Sequence, residues 1–145
     1  MTEEERRPFA RYCRRGDRRV QRGRFAAARI FYLGAWELLP EPRFQQEEAC
    51  AVLGSLGDVA FFEGFHDVAR DYFDSALRSP GGDDNPYLHL RRGQVLLELG
   101  EEDKAAEALT RAYRAGGDLI FADEDARYLE FLHHWSNRKT TKESK

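Results

Sequence analysis

The sequence predicts an all-α protein made of three helical hairpins and a C-terminal capping helix. The first observation is the segment 85–117, in which two helical patterns are separated by Gly100. The second is that small residues, Gly93, Ala105 and Ala112, fall where these two helices must approach closely. The third is that this pattern occurs twice earlier in the chain. Because one hairpin cannot cover its own wide apolar side, the copies are expected to stack into an α-solenoid.

The copies are visible as small residues that coincide at fixed offsets. An offset of 36 residues pairs Gly57 with Gly93, Gly64 with Gly100, Ala69 with Ala105 and Ala76 with Ala112. A further offset of 41 residues places Gly16, Gly23, Ala28 and Ala35 in the same four roles. The repeats therefore cover about residues 9–40, 50–83 and 86–117.

This pattern resembles the tetratricopeptide repeat, which has a Leu-Gly pair, a central Gly, two alanines and a late Pro at a period of about 34 residues. The best copy comprises Leu53, Leu56, Gly57, Phe61, Gly64, Ala69, Phe73, Ala76 and Pro80. The resemblance covers most of the chain and implies that the first helix of each pair lines a concave groove. Since this scaffold binds many different proteins, the resemblance implies a binding role without specifying the partner.

Seven helices follow from the periodicity, within one domain covering residues 1–137. Their expected ranges are about 6–22, 24–39, 44–63, 66–78, 86–99, 102–115 and 122–136, followed by a polar tail over 138–145. The last helix is the cap, with Asp123 as its expected N-cap and with Glu124 and Asp125 in its first turn.

Composition limits the class of protein. The chain has 145 residues, 41% of them hydrophobic, which suits one domain with one core. No apolar run is long enough for a membrane span, and the polar N-terminus does not suggest a signal peptide, so a cytoplasmic protein without a membrane partner is expected. The two cysteines, Cys13 and Cys50, are expected to be reduced, with Cys13 the more exposed.

Charge is distributed unevenly along the chain. Residues 1–29 hold ten arginines and four acids, whereas residues 30–137 hold nine basic and 21 acidic residues. Arg11, Arg15, Arg18 and Arg22 form one stripe of the first helix. Such a stripe could bind a phosphate backbone, but no aromatic platform or nucleic-acid motif accompanies it. We interpret it as a solvated face or as one paired with the acidic body, and nucleic acid is not the expected partner.

No catalytic or metal-binding pattern is present, so no cofactor is expected and the protein is predicted not to be an enzyme. His133 and His134 are adjacent and diverge on a helix, while His66 and His89 have no ligand at a suitable spacing. The chain also lacks a Gly-rich phosphate loop and a nucleophile elbow.

The resemblance implies a set of groove residues, all of them on the first helices of the three hairpins. The candidate partner-binding residues are Arg14 and Asp17 on the first, Asp58, Phe61 and Phe62 on the second, and Tyr87, Arg91, Gln94 and Glu98 on the third. Aromatic residues and arginines dominate the binding energy of many protein interfaces. Either Phe61 or Phe62 must pack inward, and Arg14 and Arg91 could instead be solvated.

Two classes of protein partner are compatible with these features. The ending 117–132 is similar to that of small bacterial tetratricopeptide proteins, some of which are associated with toxins, and the acidic body would suit a basic target. The chain could therefore be an immunity protein or toxin inhibitor. Alternatively, it could be a secretion chaperone or assembly adaptor that holds an extended client segment. Self-association is a further possibility. Members of the resembled family that bind chaperone tails hold the C-terminal carboxylate with basic and amide side chains at positions that here include Asp17. Because an acid would repel the carboxylate, a role of that kind is not expected.

Overall fold

A computed structural model describes residues 1–143, with side chains up to Arg138. The described residues form seven α-helices and no strand, which confirms the all-α prediction. The helices are α1 (Glu3–Gln21), α2 (Phe25–Glu37), α3 (Ala49–Phe62), α4 (His66–Arg78), α5 (Pro86–Glu98), α6 (Glu102–Gly116) and α7 (Ala126–Glu143), and short 3-10 helices cover Arg43–Gln45 and Gly117–Phe121.

Consecutive helices pair into three hairpins, α1 with α2, α3 with α4 and α5 with α6. The chain reverses at Gly23, Gly64 and Gly100, which have φ angles of 71°, 83° and 81°. Residues with a Cβ atom rarely adopt such positive φ angles, so this position of the repeat requires glycine.

Within each hairpin, a helical glycine lies against a large side chain of the second helix. A Cβ atom at Gly16 would lie 2.5 Å from the Tyr32 ring, and one at Gly57 would lie 2.6 Å from the Phe73 ring. In the third hairpin, a Cβ atom at Gly93 would lie 2.6 Å from the Leu109 side chain. These glycines therefore set how closely the helices pack, as the repeat pattern predicted.

The core continues through the stack of hairpins. One cluster of buried residues runs from Phe9 of α1 to Val95 of α5. A second cluster joins Leu90 and Leu109 to Tyr128 and Leu132 of α7. α7 thus covers the apolar side of the last hairpin, as a terminal cap of a stacked array must.

The third helix begins at Ala49, so the expectation that it starts near Phe44 is wrong. Pro42 leads into the 3-10 helix, and Gln46 is extended, with φ −77° and ψ 145°. The Gln46 side chain donates to the carbonyl of Pro40 at 3.2 Å and stabilises this connection. The segment remains packed, because Phe44 contacts the Trp36 ring with 4.9 Å between ring centroids.

The expected start of the cap is also wrong. Residues 117–121 form a 3-10 helix, and α7 starts only at Ala126. The Asp125 carboxylate accepts from the backbone N–H of Arg127 at 3.0 Å, and it therefore supports the first turn in place of Asp123. α7 reaches Glu143, so the backbone of the predicted tail is helical up to there, while Ser144 and Lys145 lie outside the described residues.

None of the helices in the described part of the chain combines the length and the hydropathy that are needed to cross a membrane.

Candidate protein-binding groove

The candidate site is the face lined by α1, α3 and α5, the first helices of the three hairpins, which we call the groove face. Six of the nine predicted residues meet on it. We call them, together with Glu124, the Arg91 cluster: Asp58, Phe61, Phe62, Tyr87, Arg91, Gln94 and Glu124. The other three predicted residues, Arg14, Asp17 and Glu98, lie outside this cluster.

Arg91 is the centre of the cluster and is only 6% exposed, so it is not a solvated residue. Its Nε donates to Asp58 Oδ1 at 3.0 Å and to the Tyr87 hydroxyl at 2.8 Å. Its Nη1 donates to Gln94 Oε1 at 2.7 Å and also to the Glu124 carboxylate. The guanidinium thereby joins α3, α5 and the segment before α7.

Three aromatic rings surround the same guanidinium. Its carbon lies 4.8 Å from the centroid of Tyr87 and 5.4 Å from those of Phe61 and Phe62. Cation–π contacts of this kind are stronger where the cation is desolvated. The cluster is therefore a rigid arrangement of one cation, two carboxylates and three rings.

Phe61 and Phe62 differ in how far they are buried. Phe61 is half-buried and packs against both main core clusters. Phe62 keeps 42% of its surface exposed, with its ring 5.6 Å from that of Phe25. Phe61 is therefore the inward-facing residue, and Phe62 is the aromatic side chain that a partner can reach.

The charges of the cluster depend on one another. Burial raises the pKa of the Asp58 carboxyl, although Arg91 and the Tyr87 hydroxyl partly offset this effect. Burial lowers the pKa of the Arg91 guanidinium, but Tyr87, Asp58 and Glu124 together outweigh burial and raise it. Arg91 thus remains a cation, held beside the carboxyl groups of Asp58 and Glu124.

Glu98 takes part in a separate contact that joins α5 to α7. It accepts from the Tyr128 hydroxyl at 2.9 Å and forms an ion pair with Arg127. Burial and the bond to Glu98 raise the pKa of Tyr128 to about 12. Glu98 is therefore engaged in holding the cap.

The two predicted residues on α1 lie apart from the Arg91 cluster. Asp17 is exposed and accepts from the hydroxyl of Tyr32 at 2.6 Å. Arg14 is exposed on the same helix. Cys13 is half-buried against the core, and burial and Asp17 raise the pKa of its thiol to about 11. Cys50 is half-buried as well, so the expectation that Cys13 is the more exposed of the two is not supported.

The repeat assignment agrees with comparisons to known proteins. Residues 55–119 match the family model of the tetratricopeptide repeat. The fold is similar to that of the Yersinia enterocolitica type III secretion chaperone SycD, solved in complex with a peptide of the translocator YopD. The two share 14% identity over 96% of this chain and 97% of that chain, with a TM-score of 0.67. Residues 55–119 of this chain therefore belong to the tetratricopeptide-repeat family.

Among curated proteins, none matches this sequence. At 14% identity, the likeness to SycD establishes the fold. Repeats of this type build extended binding surfaces, so the chain is a protein-interaction module.

Glu124 is the groove residue that sequence reasoning missed, since its position in the sequence indicates only a helix-start acid. In the structure, it accepts from Arg91 and from Gln94 Nε2, the latter at 2.8 Å. The repeat period contains a signal for it: one offset of 36 residues beyond Tyr87 falls at residue 123, next to Glu124. Through Glu124, the segment before α7 contacts two residues of α5.

Within the part of the chain that the structure describes, no three His, Cys, Asp or Glu side chains are close enough to hold a metal ion. The carboxylates near the groove instead pair with arginines, as Glu124 and Asp58 do with Arg91.

Proposed function

We propose that this protein is a non-enzymatic adaptor or secretion chaperone that holds an extended segment of a protein partner on its groove face. The observation that carries the proposal is the exposed edge of the Arg91 cluster. There the half-exposed ring of Phe62 lies beside Asp58, whose side chain is 23% exposed. The fold that this chain shares with a chaperone of known peptide complex supports the same use.

The chemistry of this edge suggests what the segment contains. An aromatic ring such as Phe62 offers apolar contact area at a small cost in side-chain entropy. The Asp58 carboxylate can accept a hydrogen bond from a lysine, an arginine or a backbone N–H of the partner. We therefore expect a segment in which an apolar side chain is followed by a hydrogen-bond donor.

Pre-organisation of the edge favours binding. The Phe62 ring is already in contact with Phe25, Phe61 and Arg91, with 5.9 Å between the centroids of Phe61 and Phe62. Asp58 is held by Arg91 and by the Tyr87 hydroxyl, the latter at 3.1 Å. Because these groups are ordered before the partner arrives, binding costs less conformational entropy.

The test uses a partner isolated on the immobilised wild-type protein and a synthetic peptide that spans its bound segment. Phe62→Ala should weaken binding of the peptide about tenfold or more, as truncation of a central interface residue commonly does. Leu119→Ala is the matched control, since Leu119 is exposed but lies beyond the last hairpin. Unchanged affinity of the Phe62→Ala protein, with loss of affinity in the control, would show that the groove is not the binding site.

A dedicated inhibitor of a toxin is the second candidate function. It is favoured by the acidic surface of the last hairpin, where Glu101, Glu102 and Asp103 follow one another at the start of α6. Such a surface suits a folded basic target. The same peptide separates the two functions, because a chaperone or adaptor binds the isolated segment and an inhibitor requires the folded partner. A cytoplasmic location stays a prediction from the sequence.

A further inference from the structure

The outer face of the first two hairpins carries an apolar pocket that lies away from the groove. The pocket has a volume of about 370 Å³. It lies between α2 and α4, and its lining includes Leu33, Trp36, Phe44, Val68, Asp71 and Tyr72. Most of the lining residues are aliphatic or aromatic, so an apolar side chain is the natural occupant.

The pocket is part of a larger unpartnered apolar surface. Ile30 lies one turn before Leu33 on the outward stripe of α2, and the two side chains are 70% and 40% exposed. Phe44 and Val68 are also exposed. Single exposed apolar residues are common on protein surfaces, but a contiguous group of them marks an interaction surface.

The two edges of this surface carry opposite charges. On the α4 edge, Asp67 and Asp71 are exposed and share one arginine, Arg70, at 3.5 and 3.9 Å. Arg70 also lies 3.7 Å from the carboxylate of Glu101, so this edge remains negative.

The α1 edge is basic. Tyr12 and Arg19 contact Phe31 of α2, which places their stripe of α1 beside the outer face. Arg15 and Arg22 continue this stripe, and neither forms an ion pair with a described side chain. The structure thus pairs only Arg6 of the basic first helix with an acid, Glu48, among the described residues.

We propose that this surface binds a second copy of the chain in a two-fold symmetric dimer, with α2 at the centre. The opposite charges of the α1 and α4 edges favour one direction for the two-fold axis of the dimer. A two-fold axis parallel to α2 brings the α1 edge of each copy onto the α4 edge of the other, so that basic residues face acidic ones. An axis across α2 would place α1 on α1 and bring arginines together, which is unfavourable.

The same symmetry supplies an occupant for the pocket. Tyr12 lies at the boundary of α1 and α2, where its ring contacts Phe31 and Gly34. With the two-fold axis parallel to α2, the α1–α2 boundary of one copy faces the α2–α4 boundary of the other. The pocket lies at that second boundary. Tyr12 is 37% exposed and has an apolar ring with a polar tip, which fits an apolar pocket that has Asp71 in its lining.

Sedimentation velocity on the full chain tests the dimer. The wild-type protein is expected to sediment as a dimer in a concentration-dependent manner. Leu33→Asp and Tyr12→Ser should each weaken the dimer about tenfold or more, because they act at its centre. Leu119→Asp introduces the same charge at an exposed leucine outside the surface and should leave the dimer intact.

Charge exchange identifies the second copy as the partner. Asp71→Arg and Arg15→Asp should each weaken the dimer, and the protein that carries both substitutions should regain it, because the two edges face each other across the axis. These sites are exposed, so circular dichroism should show unchanged helix content. A wild-type chain that is monomeric at its highest soluble concentration, or a double variant weaker than both single ones, would overturn the proposal. A monomer that binds a basic peptide through Leu33 would reassign the surface to another protein.

Discussion

Arg91 joins three parts of the molecule through charged hydrogen bonds. Its partners are Asp58 on α3 and Glu124 ahead of α7, and their side chains are largely buried. A complete buried ion pair contributes little net stability, whereas removal of one partner leaves an uncompensated charge in the interior. Arg91 therefore has a structural role in addition to any contact with a partner.

We predict that Arg91→Ala lowers the free energy of unfolding by about 3 kcal/mol, since it leaves Asp58 and Glu124 without their shared cation. Urea denaturation followed by circular dichroism measures the change. Arg14→Ala is the matched control, because Arg14 is exposed on α1 and its removal should change stability by less than about 0.5 kcal/mol. Equal stability of the two variants would contradict a structural role for the cluster.

The thiol of Cys13 is expected to react slowly in the folded protein. Burial and the nearby Asp17 raise its pKa from 9.0 to about 11. At pH 8, its thiolate fraction should therefore be about a hundredfold smaller than in the unfolded chain. Iodoacetamide labelling followed by mass spectrometry, with and without urea, measures the ratio.

The raised pKa of the Cys13 thiol also makes the free energy of unfolding depend on pH. The folded state favours the neutral thiol, so this contribution is fully present below pH 9 and is lost as the pH rises towards 11. Labelling of Cys13 at the same rate in the folded and unfolded chains would show that the thiol is not protected.

At the scale of the helices, close packing inside a hairpin depends on the absence of a side chain. Gly57 faces the fully buried Phe73 ring, and a Cβ atom at Gly57 would lie within 2.6–2.8 Å of three of its atoms. Gly54 lies on the same helix, but a Cβ atom there would meet only the end of the Leu88 side chain, at 3.3 Å. The two glycines of α3 therefore respond differently to the same substitution.

We predict that Gly57→Ala destabilises the protein by about 1–3 kcal/mol, because the added methyl group overpacks the interface of α3 and α4. Gly54→Ala should be neutral or stabilising by up to about 1 kcal/mol, because alanine favours the helix and the Leu88 methyl group can shift. Thermal unfolding of both variants provides the comparison. If the melting temperature falls equally in both variants, close packing against Phe73 is not what distinguishes Gly57 from Gly54.

At the scale of the whole molecule, the array depends on its cap. Phe121, Tyr128 and Leu132 pack with Leu90 and Leu109 in one buried cluster. The cap also supplies Glu124 to Arg91. Since stacked repeats expose an apolar side at each end, loss of the cap affects both the core and the groove.

Deletion of residues 120–145 should therefore lower the free energy of unfolding by at least about 3 kcal/mol, since three large side chains are removed from the cluster. A shorter truncation after Arg138 keeps all three and serves as the control, with an expected change within about 1 kcal/mol. Urea denaturation and sedimentation measure stability and association. A chain lacking 120–145 that remains as stable as the control would show that α7 is not a cap.

The sequence by itself determined the helical repeats and the hairpins that they form. Gly16, Gly57 and Gly93 recur at fixed offsets because each hairpin has one point where no side chain fits, and this requirement is visible without a structure. The turn glycines Gly23, Gly64 and Gly100 are also visible in the sequence, because their positive φ angles exclude most other residues. Such local requirements fix the residue type at given positions of the repeat, so they can be read from the sequence.

Only the tertiary structure decided what the groove residues contact. Arg91 bonds with Asp58 and Glu124, which lie 33 residues before it and 33 residues after it, so its burial depends on how α3 and the cap pack against α5. The same packing turned Phe61 inward and left Phe62 exposed, although both are adjacent on one helix. Helix periodicity specifies the face on which a side chain lies. The neighbouring helix and its side chains decide whether that face is covered.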